Sequence, residues 1–379
     1  MDKLLTEVCK IQYGFPFDSS KFSDSNGIPV IRIRDVVRGY SETYTTETYD
    51  AEYIVNNGEM LVGMDGEFNI GKWNGGTALL NQRVCRLFPT EEINADYLFY
   101  FMPKILKAIE DATPFATVKH LSAKQLNKIV VPLPSMEKQN QIARAFSTLD
   151  TLIKHRKQQF NKLDELVKSR FIELFGDPVQ NPMEWKLETL KKVTTKIGSG
   201  ATPKGGKESY QTEGITLIRS MNVHDGRFEY KDLAHITNEQ AKQLDNVTVE
   251  ENDVFINITG ASVARSCIVP KHILPARVNQ HVAIIRCITS MLNPVFANQM
   301  FLNTSFKGQL LDIGESGGAT RQAITKQQLE ALTVILPPLE LQEQFAAFVE
   351  QTDKSKLAVQ KSLEQLEILK KSLMQQYFG

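Results

Sequence analysis

Apolar residues recur at alternating spacings of four and three along two stretches of the chain. In the first, Ile142, Phe146, Leu149, Ile153, Arg156, Phe160, Leu163, Val167, Arg170 and Leu174 fall on one helical face. In the second, Phe345, Val349, Thr352, Lys356, Val359, Leu363, Leu366, Lys370, Leu373 and Tyr377 keep the same rhythm. Each is an a/d seam of roughly five heptads with polar interruptions. Pro134 and Pro337 suit helix starts, and Gly176 followed by Pro178 supplies a left-handed cap and a stop. The pattern predicts one long helix per stretch. A single such helix can equally be a buried core helix. Two of equal length with matching seams favour a mutual coiled coil.

Outside these stretches the pattern changes. Short β-rich runs such as 29–33, 59–62, 83–87, 254–258 and 282–285 alternate with turn-rich segments. Helices are predicted at 94–111 and 293–312, and just before each long helix. The fold class is therefore α+β.

The two halves are related. Shifting the chain by 203 residues lays 116–176 on 319–379 without a gap, with 18 of 61 positions identical. Gln125-Leu126 meets Gln328-Leu329, Leu133-Pro134 meets Leu336-Pro337, and Phe175-Gly176 meets Phe378-Gly379. Upstream the likeness drifts. Ile11-x-x-Gly14 matches Ile197-x-x-Gly200, the run from Gly27 to Arg32 matches that from Gly214 to Arg219, and Asn81-Gln82 matches Asn279-Gln280. A repeated unit with growing offsets places insertions in loops. The expected boundaries are a first variable domain 1–134, a helix 135–176, a second variable domain 177–337 and a helix 338–379.

Connectivity constrains how the helices pair. About 38 helical residues span roughly 57 Å, whereas the short linker before Trp185 reaches at most about 28 Å. The second domain must then begin at the far end of the first helix. Its own helix runs back antiparallel, giving a spacer with two heads and neighbouring termini.

Composition narrows the class. The 379 residues are 42% hydrophobic and 23% charged, with no apolar run of membrane-spanning length. The first residues lack a basic segment followed by an apolar one, so a cytoplasmic protein is expected. The cysteines Cys9, Cys85, Cys267 and Cys287 form no C-x-x-C pair, and the six histidines show no metal-ligand spacing. Neither a phosphate-binding G-x-x-x-x-G-K-[ST] nor a G-x-S-x-G elbow is present, and the carboxylates form no acid/base or two-metal set. Asn181-Pro182 and Asn293-Pro294 lack the further Pro and aromatic residue of amino-methyltransferases. No metal site and no catalytic constellation are expected.

These residues carry a family resemblance. The paired runs Leu133-Pro134-Ser135-Met136-Glu137-Lys138-Gln139-Asn140-Gln141 and Leu336-Pro337-Pro338-Leu339-Glu340-Leu341-Gln342-Glu343-Gln344 each precede a heptad helix ending in Phe-Gly. With the Ile-x-x-Gly and Asn-Gln steps upstream, the chain resembles the specificity subunit of a type I restriction-modification enzyme over nearly its whole length. The resemblance implies two tandem target-recognition domains, each reading half of a bipartite site on double-stranded DNA. It also implies two long helices, forming an antiparallel coiled coil, that separate the domains and dock two adenine-methyltransferase (modification) subunits. Restriction subunits with ATP-driven translocation can join such complexes. S-adenosylmethionine, ATP and Mg would belong to those partners, with no cofactor and no catalytic residue in this chain. Two readers on one face of B-DNA sit about one helical turn, roughly 34–36 Å, apart. Changing the spacer by one heptad would move the heads by about 10 Å.

Arg, Lys, Asn and Gln supply most base-edge and phosphate contacts. Candidates at matched positions or in loops are Arg32, Arg34, Lys72, Asn81, Gln82, Arg83 and Lys119, then Arg219, Asn222, Arg265, Asn279, Gln280 and Arg321. A surface ion pair or a structural turn is the competing role for each. Trp73 is a candidate wedge against DNA or, more simply, a packed loop anchor. Charge departs from the usual footprint: residues 1–134 carry 14 basic and 17 acidic side chains, and 182–337 come out near +2. Two other classes stay open: a free-standing nuclease or methyltransferase, and a coiled-coil scaffold that binds protein without DNA specificity.

Overall fold

The computed structural model describes residues 2–114, 119–203, 205–315 and 322–379. The chain divides into two units. Unit 1 comprises Met1–Lys157 with Ser362–Gly379, and unit 2 comprises Gln158–Lys361. Both are α+β, and each contains part of both long helices, Met136–Phe175 and Leu339–Phe378.

Among the described residues, each unit is built around a four-stranded antiparallel sheet of the same order. In unit 1 the strands run Cys9–Tyr13, Val84–Pro89, Met60–Gly63 and Asn69–Lys72. In unit 2 they run Thr194–Ser199, Val282–Cys287, Val254–Asn257 and Ser266–Ile268. A second sheet in each unit, five-stranded in unit 1 and three-stranded in unit 2 among the described residues, contains one parallel pair, Ile28–Ile31 with Ala78–Leu80 and Ile215–Ile218 with Ala276–Val278. A short antiparallel pair joins the start of each repeat to the strand preceding its long helix: Asp2–Leu4 with Val130–Pro132, and Lys186–Thr189 with Thr333–Leu336.

Helix Ala95–Ala112 opens on Asn94, whose side chain accepts from the Tyr97 N–H. The helix expected over 293–312 is instead two, Pro294–Leu302 and Thr304–Glu315. Asn303 divides them, because its side chain accepts from the Ser305 and Phe306 N–H groups and caps a new helix. Short helices Ala123–Leu126 and Lys326–Ala331 precede the long ones, each capped by a reciprocal box, Ser122 with Gln125 and Thr325 with Gln328.

The long helices pair antiparallel within each unit. In unit 1, Phe146 stacks on Phe378, Asp150 bonds Lys370 at 2.5 Å, and Lys157 meets Glu367 at 3.4 Å. In unit 2, Asp164 bonds Lys356 at 2.6 Å and Phe171 packs on Phe345. Ile142, Phe146, Leu149, Val167, Phe345, Val349 and Val359 are buried, and Ile153, Phe160, Leu163, Leu174, Leu363, Leu366 and Leu373 are half-buried. The polar seam residues have local partners. Buried Thr352 returns its hydroxyl to the Phe348 carbonyl, and Lys356 lies over the Phe160 ring between Asp164 and Asp353. Gly176 ends the first long helix at φ +73°, with its N–H on the Ile172 carbonyl.

The cores are closed by matched aromatics. Phe378 sits among Tyr97, Phe101 and Phe146 in unit 1, and Phe175 among Phe171, Phe296 and Phe345 in unit 2. All four cysteines are buried free thiols, and burial pushes each up to about 12.

Candidate nucleic-acid interface

The repeated sequence builds the same corner in both units. In unit 1 the parallel pair registers Val30 with Leu79 and Ile31 with Leu80, so Arg32 and Asn81 leave neighbouring strand ends together. The Arg32 N–H donates to Asp35 Oδ2 at 2.9 Å, and that carboxylate is fully buried. The Gln82 N–H donates to the Phe15 carbonyl at 2.8 Å. Gly14 packs so closely on this turn that a Cβ there would collide with the Asn81 carbonyl. In unit 2, Ile218 registers with Val278, bringing Arg219 and Asn279 out side by side. The Arg219 N–H donates to Asn222 Oδ1 at 3.1 Å, and a Cβ at Gly200 would collide with the Val278 carbonyl.

The candidate side chains then separate by environment. Asn222 does not face solvent. It is wholly buried and gives its amide hydrogens to the Glu229 and Lys231 carbonyls at 3.0 and 3.3 Å. Asn279 is buried as well, holding the turn by accepting from the His281 N–H at 3.0 Å. Asn81 is buried beside Gly14. Asn222 and Asn279 build corners, since a short amide replaces a backbone partner in a tight turn, whereas the buried Asn81 Oδ1 has no hydrogen-bond partner among the described residues. Lys72 is paired with Asp96 and lies over Phe99, pinning its strand to the helix Ala95–Ala112. Lys119 is half-buried and donates to the Glu110 carbonyl at 2.5 Å, closing the end of that helix. Trp73 is a packed anchor rather than a wedge, fully buried with its indole N–H on the Gly76 carbonyl at 2.6 Å.

Exposed candidates remain. Arg34 reaches Thr43 at 3.3 Å and Asp35 at 3.7 Å. Arg83, at φ +74°, joins Asp65 at 3.4 Å and His120 at 3.2 Å, and His120 itself meets Asp65 at 2.5 Å. Arg32 and Gln82 are exposed, and among the described residues neither side chain has a hydrogen-bond or ionic partner. In unit 2, half-buried Arg219 donates to the Asp232 carbonyl and lies over the Tyr210 ring, while exposed Gln280 accepts from the Thr202 hydroxyl. Arg265 is half-buried. Arg321 lies outside the described residues, as do the matched Ala116-Thr117 and Ala319-Thr320.

Two functional amides escaped the sequence reading. Gln139 Oε1 accepts from the Asn94 N–H at 2.8 Å, and its Nε2 donates to the Pro134 carbonyl at 3.0 Å. Gln342 Oε1 accepts from the Asn293 N–H at 2.9 Å, and its Nε2 donates to Pro337 and Met291 carbonyls at 2.8 and 3.1 Å. The duplicated Glu-x-Gln-x-Gln was the available signal. It marks the repeat without saying which glutamine turns inward. The pair of buried Asp253 with half-buried Arg286, bonded at 2.8 and 2.9 Å, was also unforeseen; Asp253 holds the guanidinium above its ordinary value.

The model of the type I restriction modification DNA specificity domain matches this chain twice, over residues 1–165 and 182–368. The chain belongs to that family. It is similar to the specificity subunit of the type I restriction enzyme EcoBI of Escherichia coli, with 28% identity over 375 residues, 92% of this chain and 78% of the relative. It is also similar to the MjaVIII specificity subunit of Methanocaldococcus jannaschii, with 23% identity over 375 residues, 91% of this chain and 87% of the relative. The fold matches the solved S subunit of a type I restriction-modification system from M. genitalium, with TM-score 0.61 at 13% identity over 99% of this chain and 94% of that one. A solved chain from work on assembly and conformational transition of the type I system matches with TM-score 0.59 at 17% identity, over 100% and 97%. No described helix is long and apolar enough to cross a membrane.

Proposed function

We propose that this chain reads a bipartite, asymmetric DNA site and directs two adenine-methyltransferase subunits to it, with restriction subunits as optional further partners. It does so without catalytic residues of its own and works in the cytoplasm. S-adenosylmethionine, ATP and Mg are held by the partners. The observation that carries this reading is the duplicated specificity domain, 1–165 and 182–368, in a single chain. Two copies of one reader suit a site in two halves. Their different side chains at the shared corner, such as Arg83 against His281, suit halves of different sequence. The protein-only scaffold gives no reason for a DNA specificity domain to occur twice.

The test is reconstitution. Co-expression with an adenine methyltransferase from the same genome should yield a complex that methylates DNA only when this chain is present. A methyltransferase that purifies alone and methylates the same sites equally well would contradict the proposal.

A further inference from the structure

Resting on that reading, we propose that Arg32 and Gln82 are the base-reading pair of unit 1, Arg32 on a guanine and Gln82 on an adenine of an adjacent base pair in the major groove. Base reading asks for a side chain whose root is fixed and whose tip is free. The root of Arg32 is fixed by the bond from its N–H to the buried carboxylate of Asp35, at 2.9 Å. The root of Gln82 is fixed by its N–H on the Phe15 carbonyl at 2.8 Å, after an Asn81 held against Gly14. Both tips are exposed and unpartnered among the described residues.

The neighbouring arginines differ. Arg34, Arg38, Arg83 and Arg86 each engage a carboxylate of the same unit. Among the described residues Arg32 alone of the five keeps its five donors unspent, and a guanidinium matches guanine O6 and N7 bidentately. The glutamine amide matches adenine N6 and N7 in the same way. Arg32 directly follows one strand of the parallel pair, and Gln82 lies one residue beyond Asn81, the position level with Arg32, on strands spaced about 4.8 Å apart. Two long side chains rooted so near each other can reach successive base pairs, which rise about 3.4 Å.

Unit 2 supplies an internal comparison. There the same corner is closed by its own loops, with Arg219 on the Asp232 carbonyl and over Tyr210, and Gln280 against Thr202 and His281. The corner is common to the fold, and among the described residues unit 1 is the copy that leaves it open.

The test replaces the gene in its own cell with R32A, Q82A or, as control, R38A, and maps methylated adenines across the genome. R32A should lose a guanine at one position of one half-site, collapsing a discrimination of about 10- to 100-fold to near parity there. Q82A should relax an adjacent adenine, and R38A should leave the motif unchanged. If either variant keeps every position of the motif, with methylation undiminished or uniformly reduced, its residue reads no base and the proposal fails while the specificity reading stands. If R32A abolishes methylation, the purified variant complex is titrated with the native duplex and with duplexes altered one position at a time. Loss of preference at one guanine supports the proposal, and an equal loss on all duplexes overturns it. A map unaffected by deleting the whole gene removes the specificity reading itself.

Discussion

The side-chain oxygen of Gln139 accepts the backbone N–H of Asn94 at 2.8 Å, so one buried amide ties the start of the first long helix to the start of the helix it packs against. Gln342 repeats this on Asn293 at 2.9 Å. Both glutamines are at most 1% exposed, so water cannot replace them. Each converts a sequence repeat into a fixed angle between a long helix and a reading domain.

Replacing Gln139 or Gln342 with alanine strands a buried donor and at least one carbonyl in each unit. Each change should cost about 2–3 kcal/mol, measured as a lower urea midpoint at unchanged slope. A cost under about 0.5 kcal/mol would show that the amides do not bear on helix placement.

The matched phenylalanines should differ in weight. Phe175 is wholly buried among three rings, while Phe378 is 9% exposed near the chain end. Phe175→Ala should cost about 3–5 kcal/mol and Phe378→Ala somewhat less, read from chemical denaturation of the full chain. Equal and negligible losses would contradict the packing.

Much of this architecture was legible in the chain because it follows from periodicity. Every residue of the a/d seam, from Ile142 to Leu373, is at least half-buried, since a spacing of four and three has only one way to face a partner. The site was legible only as a neighbourhood. Arg32 and Asn81 meet because two strands pair in parallel 49 residues apart in register, a tertiary fact with no local pattern. Burial of Asn81, Asn222 and Asn279, and the capture of Lys72 by Asp96, likewise depend on partners remote in sequence. The break at Asn303 was missed because apolar spacing continues across it while its side chain caps a new turn.

Lys356 offers a pH test. Burial alone would lower its value, but the Asp164 and Asp353 carboxylates outweigh this and hold it above the ordinary lysine value. A group raised in the folded state contributes stability that is complete below its unfolded value, near pH 10.4, and is lost as pH rises through the folded value. The parent chain should therefore lose more stability between pH 9 and 11.5 than Lys356→Met, measured by denaturation midpoints. Parallel curves would remove the ion pair from the account.

The near-neutral charge sets an expectation for the isolated chain. With 44 basic and 44 acidic residues it neutralises few phosphates, so DNA binding alone should be weak at physiological salt and should strengthen when methyltransferase subunits join. Fluorescence anisotropy on a duplex carrying the methylated motif measures both. Tight, salt-resistant binding by the lone chain would contradict this.

The central claim is that this chain chooses the DNA sequence its partners modify. A genome-wide map of methylated adenines, with the gene present and deleted, tests it most directly. The account predicts a bipartite, asymmetric motif whose methylation disappears on deletion and returns with the gene. An unchanged map, in a cell shown to express the methyltransferase partner, would contradict it.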